Sequence, residues 1–174
     1  SWSQLGSDID GEAAGDQFGF SVSLDSDGDR LAVSGNQNDA NGSNTGHVRV
    51  FSWNGSSWSQ LGSDIDGEAG SDLFGYSVSL DSDGDRVAIG GTRNDGTGTD
   101  AGHVRVYSWD GSSWSQLGSD IDGEASGDQL GSSVSLDSDG NRVAIGARYN
   151  NGSKGHVRVY SWNGSSWSQL GSDI

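Results

Sequence analysis

The chain has 174 residues, of which 30% are hydrophobic and 30 are Gly, with no Cys and a formal net charge of −16. That length supports one domain with a real core, and the thin apolar content in Val, Leu, Ile and Trp suits short strands and many turns rather than long helices or membrane-inserted spans. The charge sets nucleic acid and anionic membranes aside as partners and favours cations, and the missing Cys removes disulfides and thiolate metal sites.

Ser1 to Ile9 reads Ser-Trp-Ser-Gln-Leu-Gly-Ser-Asp-Ile, and the same nine residues return around Trp58, Trp114 and Trp167, at intervals of 56, 56 and 53 residues. An internal period of this length is the mark of a repeat architecture. The first copy is expected to be an additional outer strand, residues 1–9, carrying Trp2. An acidic connector follows, with Asp8, Asp10, Glu12 and Asp16.

Four strands, A to D, are predicted per repeat. Strand A runs from Phe18 to Leu24, where Phe20, Val22 and Leu24 alternate with Ser21 and Ser23 and bury one face preferentially. Asp25-Ser26-Asp27-Gly28-Asp29 turns the chain into strand B, the apolar run Arg30 to Ser34. Strand C is His47 to Trp53. Asn54-Gly55 supplies the positive-φ pair of a tight hairpin, and strand D follows from Trp58 to Ile65. The set recurs, so that the expected blades are 18–65, 74–121 and 130–174. The short third interval falls in the loop Asn150 to Gly155, where a surface connection tolerates deletion.

Four-stranded antiparallel units of about 50 residues, rich in Gly and aromatics, predict an all-β, β-propeller-type array of three blades plus the N-terminal outer strand. A solenoid of stacked hairpins and a three-fold trefoil are the competing architectures.

Phe18-Gly19-Phe20-Ser21-Val22-Ser23-Leu24, the turn Asp25 to Asp29, Val87-Ala88-Ile89-Gly90-Gly91 with Gly146-Ala147, and the Gly-His-Val-Arg-Val runs resemble FG-GAP repeats, the blades of the integrin α-subunit head and of bacterial secreted and surface proteins. The resemblance implies a propeller on an extracellular or cell-surface protein that binds other molecules. Asn36, Thr92 and Arg148 stand where the family has Pro. Family members that bind calcium carry Asp-x-Asp-x-Asp-Gly-x-x-Asp between strands A and B, and here Gly arrives early, with Val33, Ile89 or Ile145 at the last carboxylate.

Two acidic groups are candidate cation sites, with calcium as the expected ion. The stronger is the D-to-A connector, represented by Asp8, Asp10, Glu12 and Asp16; Asp64, Asp66, Glu68 and Asp72; and Asp120, Asp122, Glu124 and Asp128. Four carboxylates within nine residues repel one another unless something positive compensates. The weaker is the A–B turn, with Asp25, Asp27 and Asp29; Asp81, Asp83 and Asp85; and Asp137 and Asp139. That turn is too short to wrap a calcium ion alone and reads first as backbone geometry.

His47, His103 and His156 open strand C with no second ligand near them in sequence and are expected to be structural hydrogen-bonding groups. Arg49, Arg105 and Arg158 share their strand parity and are expected to stack on indoles or pair with Asp. The pairs Trp53 and Trp58, Trp109 and Trp114, and Trp162 and Trp167 read as cross-strand clamps in preference to a sugar-binding shelf. Asn41, Asn54, Asn151 and Asn163 match glycosylation acceptors and equally match turns. No nucleophile elbow, phosphate loop or metalloprotease motif occurs, and every candidate residue recurs three times, so no enzyme is expected.

Three blades leave two open sides. The expected partners are therefore further copies of the chain or neighbouring blades of a longer one, with an extracellular protein or glycan as a foreign ligand. The fourth D strand is what a window cut from a longer array would contain. Adhesion or recognition competes with a structural fibre or surface layer, and near-identity of the repeats favours the latter.

Overall fold

The computed structural model describes residues 1–174. Blade 1 contains β1 (Phe18–Leu24), β2 (Arg30–Gly35), β3 (His47–Trp53), β4 (Trp58–Gln60) and β5 (Ile65–Asp66). Blade 2 contains β6 (Phe74–Leu80), β7 (Arg86–Gly91), β8 (His103–Trp109), β9 (Trp114–Gln116) and β10 (Ile121–Asp122). Blade 3 contains β11 (Leu130–Leu136), β12 (Arg142–Ala147), β13 (His156–Trp162) and β14 (Trp167–Gln169). Each blade is a separate antiparallel meander, as a propeller requires and a trefoil does not. The shortened third loop holds only a tight turn at Asn150–Ser153, with Asn151 and Gly152 left-handed.

Strands A to C form where the alternation places them, but strand D differs. It breaks at Leu61 to Asp64, and its two halves, β4 and β5, both pair with β3. Gly62 lies at φ +71° there, which breaks the pleat. The N-terminal strand expected over residues 1–9 does not form. A strand needs a ladder partner, and each D copy takes it from the strand C that precedes it, whereas residues 1–9 make no ladder with any of the strands described. Trp2 is fully exposed as a result.

The core lies between blades. Ala32, Val48, Val50 and Ile65 from blade 1 pack against Phe74, Val78, Leu80, Val87 and Ile89 from blade 2. Blade 2 repeats the arrangement against blade 3, with Ala88, Val104, Val106 and Ile121 meeting Leu130, Val143, Ile145 and Ala147. Each blade therefore has two different apolar faces, one for each neighbour.

The A strands of neighbouring blades approach closely because their facing residues are Ser and Gly. Ser21 and Ser23 Oγ accept the Val78 and Leu80 N–H groups at 3.1 and 2.9 Å, and Ser79 Oγ accepts Leu136 N–H at 3.0 Å. A Cβ on Gly75 would lie 2.7 Å from Ser34 Cβ, and one on Gly131 would lie 2.6 Å from the His103 carbonyl oxygen. The glycine of the Phe-Gly pair is thus needed for blade contact.

Candidate functional site

The structure distributes the connector carboxylates instead of gathering them. Asp64 turns back to its own blade, where Oδ2 is 3.4 Å from His47 Nδ1. Glu68 crosses to blade 2 and pairs with Arg105, which also holds Asp120 at 2.7 Å. Asp72 is buried, and its Oδ2 accepts from Asn94 at 3.0 Å. Asp16 and Asp128 repeat that bond with Asn38 and Asn150, each at 2.9 Å. Asp66 and Asp122 sit in β5 and β10 beside the His residues. Asp8 and Asp10 belong to the unpaired N-terminal segment, where Asp8 accepts from Gln4 and the Asp10 carbonyl from Arg49.

A different grouping emerges, one per blade: Glu12, His47 and Asp64; Glu68, His103 and Asp120; and Glu124, His156 and Asp173. In each group the potential ligand atoms lie within 4.8 Å of one another. The expectation that each His stands without a second ligand is therefore incorrect. Its neighbours come from the D strand and from the connector entering the blade, positions remote in sequence that meet where the end of strand D folds back on strand C. Asp173, the member at the fourth Ser-Asp-Ile copy, has no place among the predicted ligands. His47 and His103 are fully buried, and neither ring nitrogen makes a well-formed hydrogen bond.

The positive charge that these carboxylates require is Arg in two of the three blades. Arg105 donates to both Asp120 oxygens and to Glu68, and Arg158 does the same to Asp173 and Glu124. Burial alone would raise the Asp120 carboxyl, but the nearby His103 ring, 3.4 Å away, and hydrogen bonds from Arg105 and Gln116 outweigh it and hold the group well below the ordinary range. The Arg158 guanidinium is the main cause that lowers Asp173 to about 2. The Arg105 hydrogen bond lowers Glu68 in the same way. Asp66 and Asp122, to which no Arg donates a hydrogen bond, are raised by burial and then by Asp64 and Asp120. Blade 1 differs: Arg49 Nε bonds Gln60 at 2.9 Å, stands 3.8 Å from Asp64, and lies over the Phe18 and Phe51 rings. Pairing with Asp is thus the realised alternative in blades 2 and 3, and stacking falls on Phe instead of indole.

The A–B turn residues serve backbone geometry. Asp25 Oδ1 accepts the Asp29 and Arg30 N–H groups at 3.0 and 3.1 Å, and Asp81 and Asp137 do the same in their blades. Asp27, Asp83 and Asp139 accept only from the preceding Ser. Burial takes Asp81, whose residue is 5% exposed, up to about 6. The turns also join blades, since Ser26 and Ser82 donate to the carbonyls of Ser82 and Ser138, and Arg30 and Arg86 to those of Gly84 and Gly140.

The tryptophans clamp, though not only within the hairpin. The paired rings are 5.4 to 5.5 Å apart. Trp58, Trp114 and Trp167 Nε1 then donate to the Leu5, Leu61 and Leu117 carbonyls of the preceding segment, at 3.1, 3.0 and 2.8 Å. Gly6, Gly62 and Gly118 lie against Trp53, Trp109 and Trp162, where an added Cβ would come within 2.7, 2.8 and 2.7 Å of ring carbon. Asn54 and Asn163 use their Oδ1 to bind the next turn's N–H groups.

Residues 8–51, from the first connector through strand C of blade 1, match the FG-GAP repeat family model. No curated protein matches the chain. Among solved structures, a Bacteroides uniformis ATCC 8492 protein that carries the name 6-phosphogluconolactonase superposes with a TM-score of 0.59 at 12% identity, over 88% of this chain and 39% of that one. An acylaminoacyl peptidase in complex with Z-Gly-Gly-Phe-chloromethyl ketone superposes with a TM-score of 0.48 at 12% identity, over 88% and 25%. The chain thus spans about two fifths of the first of these structures, and at such identity the likeness is one of fold. No helix is long and apolar enough to cross a membrane.

Proposed function

We propose that this FG-GAP repeat chain is a non-catalytic propeller segment of an extracellular or cell-surface protein, in which the repeated chemistry serves blade-to-blade cohesion. The observation that supports this reading is the occupation of the candidate groups: Trp rings grip the preceding segment, Ser and Arg bridge adjacent blades, and Arg neutralises the connector carboxylates in blades 2 and 3. Groups tied up in this way from blade to blade leave no asymmetric constellation for turnover. Adhesion or recognition of an extracellular protein or glycan would then fall to the variable loops, and the scaffold would present them.

Cation-dependent binding is a second reading, favoured by one specific feature. In blade 1 the Glu12, His47 and Asp64 group lacks the close guanidinium found in the other two. Thermal melts in chelator and in about 1 mM calcium or manganese distinguish the readings. Coincident curves support the scaffold, whereas a rise on metal addition that Glu12→Gln abolishes supports the cation site.

A further inference from the structure

The Glu, His and Asp groups share a spacing that hydrogen bonding does not explain. His Nδ1 stands 3.4, 3.4 and 3.5 Å from the facing Asp Oδ2 in blades 1, 2 and 3. An N–H···O bond closes to about 2.7–3.2 Å. The other donors to Asp120 reach that range, with Arg105 and Gln116 each at 2.7 Å. Two ligand atoms held about 2.0–2.1 Å from a tetrahedral ion, by contrast, lie about 3.3–3.4 Å apart.

Blade 2 shows the group with a neighbouring blade on each side. His103 is fully buried, and both of its ring nitrogens lack a hydrogen-bond partner. Its Nε2 edge lies on the Gly91 backbone, where an added Cβ would come within 2.7 Å, so Nδ1 is the nitrogen turned to the carboxylates. Arg105 fixes Asp120 by donating to both of its oxygens. Each carboxylate oxygen has a second lone pair, so Oδ2 keeps one for a further partner. Glu68 arrives from the connector between blades 1 and 2, with Oε1 held by Asn94 at 2.9 Å and Oε2 by Arg105. A ligand atom of each of the three residues lies within 4.8 Å of the other two. Asp122 pairs with His103 across the β10–β8 ladder. One guanidinium thus answers Glu68, Asp120 and Asp122, and negative charge is left over beside the His103 ring.

We propose that each Glu, His and Asp group binds a divalent ion of the zinc class, which clasps the connector entering a blade to strands C and D of that blade. The His Nδ1, the Asp carboxylate and the Glu carboxylate are its protein ligands. Arg105 and Arg158 hold the outer sides of those carboxylates in place, as second partners of metal ligands commonly do. The nitrogen donor sets the class of ion. Calcium takes about six to eight oxygens at roughly 2.3–2.6 Å, whereas zinc accepts imidazole and carboxylate in a small tetrahedral shell. The ion assigned to these groups is therefore not the calcium that the carboxylate-rich connector suggests by its composition.

This inference rests on the cation-dependent reading above and deepens it. His47, His103 and His156 are the only histidines, so the full chain, isotopically labelled in its histidine nitrogens, reports each group through its own imidazole. Titration with zinc to one equivalent per blade, followed by nitrogen NMR, should move the Nδ1 signal of His103 and leave the proton on Nε2. Calcium at about 1 mM should move neither signal. Glu68→Gln removes one ligand from blade 2 alone, so the His103 response should then require roughly tenfold more zinc or above. His47 and His156 should respond as in the parent, which also reports an intact fold. Asp120→Asn should act in the same way. The proposal is overturned if zinc leaves His103 Nδ1 unmoved, if calcium reproduces the zinc response, or if either variant binds like the parent. A melting temperature that calcium or manganese raises, while zinc leaves every imidazole in place, would keep the cation-dependent reading and overturn only the ion class and ligands assigned here.

Discussion

Four glycines occupy the same place in the repeat and differ in only one respect. Gly6, Gly62, Gly118 and Gly171 have φ of +76°, +71°, +78° and +72°, so any L side chain there carries a left-handed penalty of about 1–2 kcal/mol. At Gly62 an added Cβ would also lie 2.8 Å from Trp109 Cζ3 and 3.3 Å from Cη2, well inside the roughly 3.5–4.0 Å optimum for carbon contacts. The ring is held by its partner Trp114 and cannot retreat freely, which adds about 1–3 kcal/mol of overpacking. Gly62→Ala should therefore destabilise by about 2–5 kcal/mol and Gly171→Ala by only about 1–2 kcal/mol. For a chain of this length the gap corresponds to roughly 2–12 °C in melting temperature. Melts followed by Trp fluorescence at low micromolar concentration, where the chain is dilute, measure it, and Gly118→Ala should track Gly62→Ala. Equal melting temperatures for Gly62→Ala and Gly171→Ala would refute the claim that the indoles grip the neighbouring blade.

Asp81 carries a pH signature. Its carboxyl is raised to about 6 by burial, above the ordinary value of 3.8, so the folded state binds the proton more tightly and its stability falls as pH rises from about 4 to about 6. The full shift corresponds to about 3 kcal/mol, reduced to roughly 1 kcal/mol by solvent at the turn. Asp81→Asn keeps the acceptor for the Asp85 and Arg86 N–H groups and should remove that slope from pH-dependent melts. Asp120 and Asp173 act oppositely: their lowered carboxyls stabilise the fold above about 4, and that contribution is lost as pH falls below it. Arg105→Met leaves Glu68 and Asp120 facing His103 without a cation, so it should cost about 2–4 kcal/mol at pH 7 in urea unfolding, part of which millimolar manganese restores. Ser79→Ala deprives the Leu136 N–H of its acceptor and should cost about 1–2 kcal/mol, while Ser135→Ala, at the open end, should stay within about 0.5 kcal/mol by the same assay.

The blade was legible because its signals are local. Alternation in Phe18 to Leu24, the Asp25 to Asp29 turn and the Asn54-Gly55 hairpin each act over a few residues, and strands A and C formed at the expected bounds. Trp53 facing Trp58 follows from the same hairpin register. Strand D was less legible, since its break reflects Gly62 fitting against Trp109 from the next blade.

What the amino-acid order determined alone was the repeat, the type of each strand and the need of every blade for neighbours, because short-range periodicity and turn chemistry require nothing distant. Tertiary structure alone decided where the charges went. Asp64, Asp66, Glu68 and Asp72 are adjacent in the chain, yet they serve His47, the end of strand β5, Arg105 of the next blade and Asn94 in turn. A connector that passes from one blade to the next projects its side chains into both, and only the packing of the blades shows which carboxylate meets which cation.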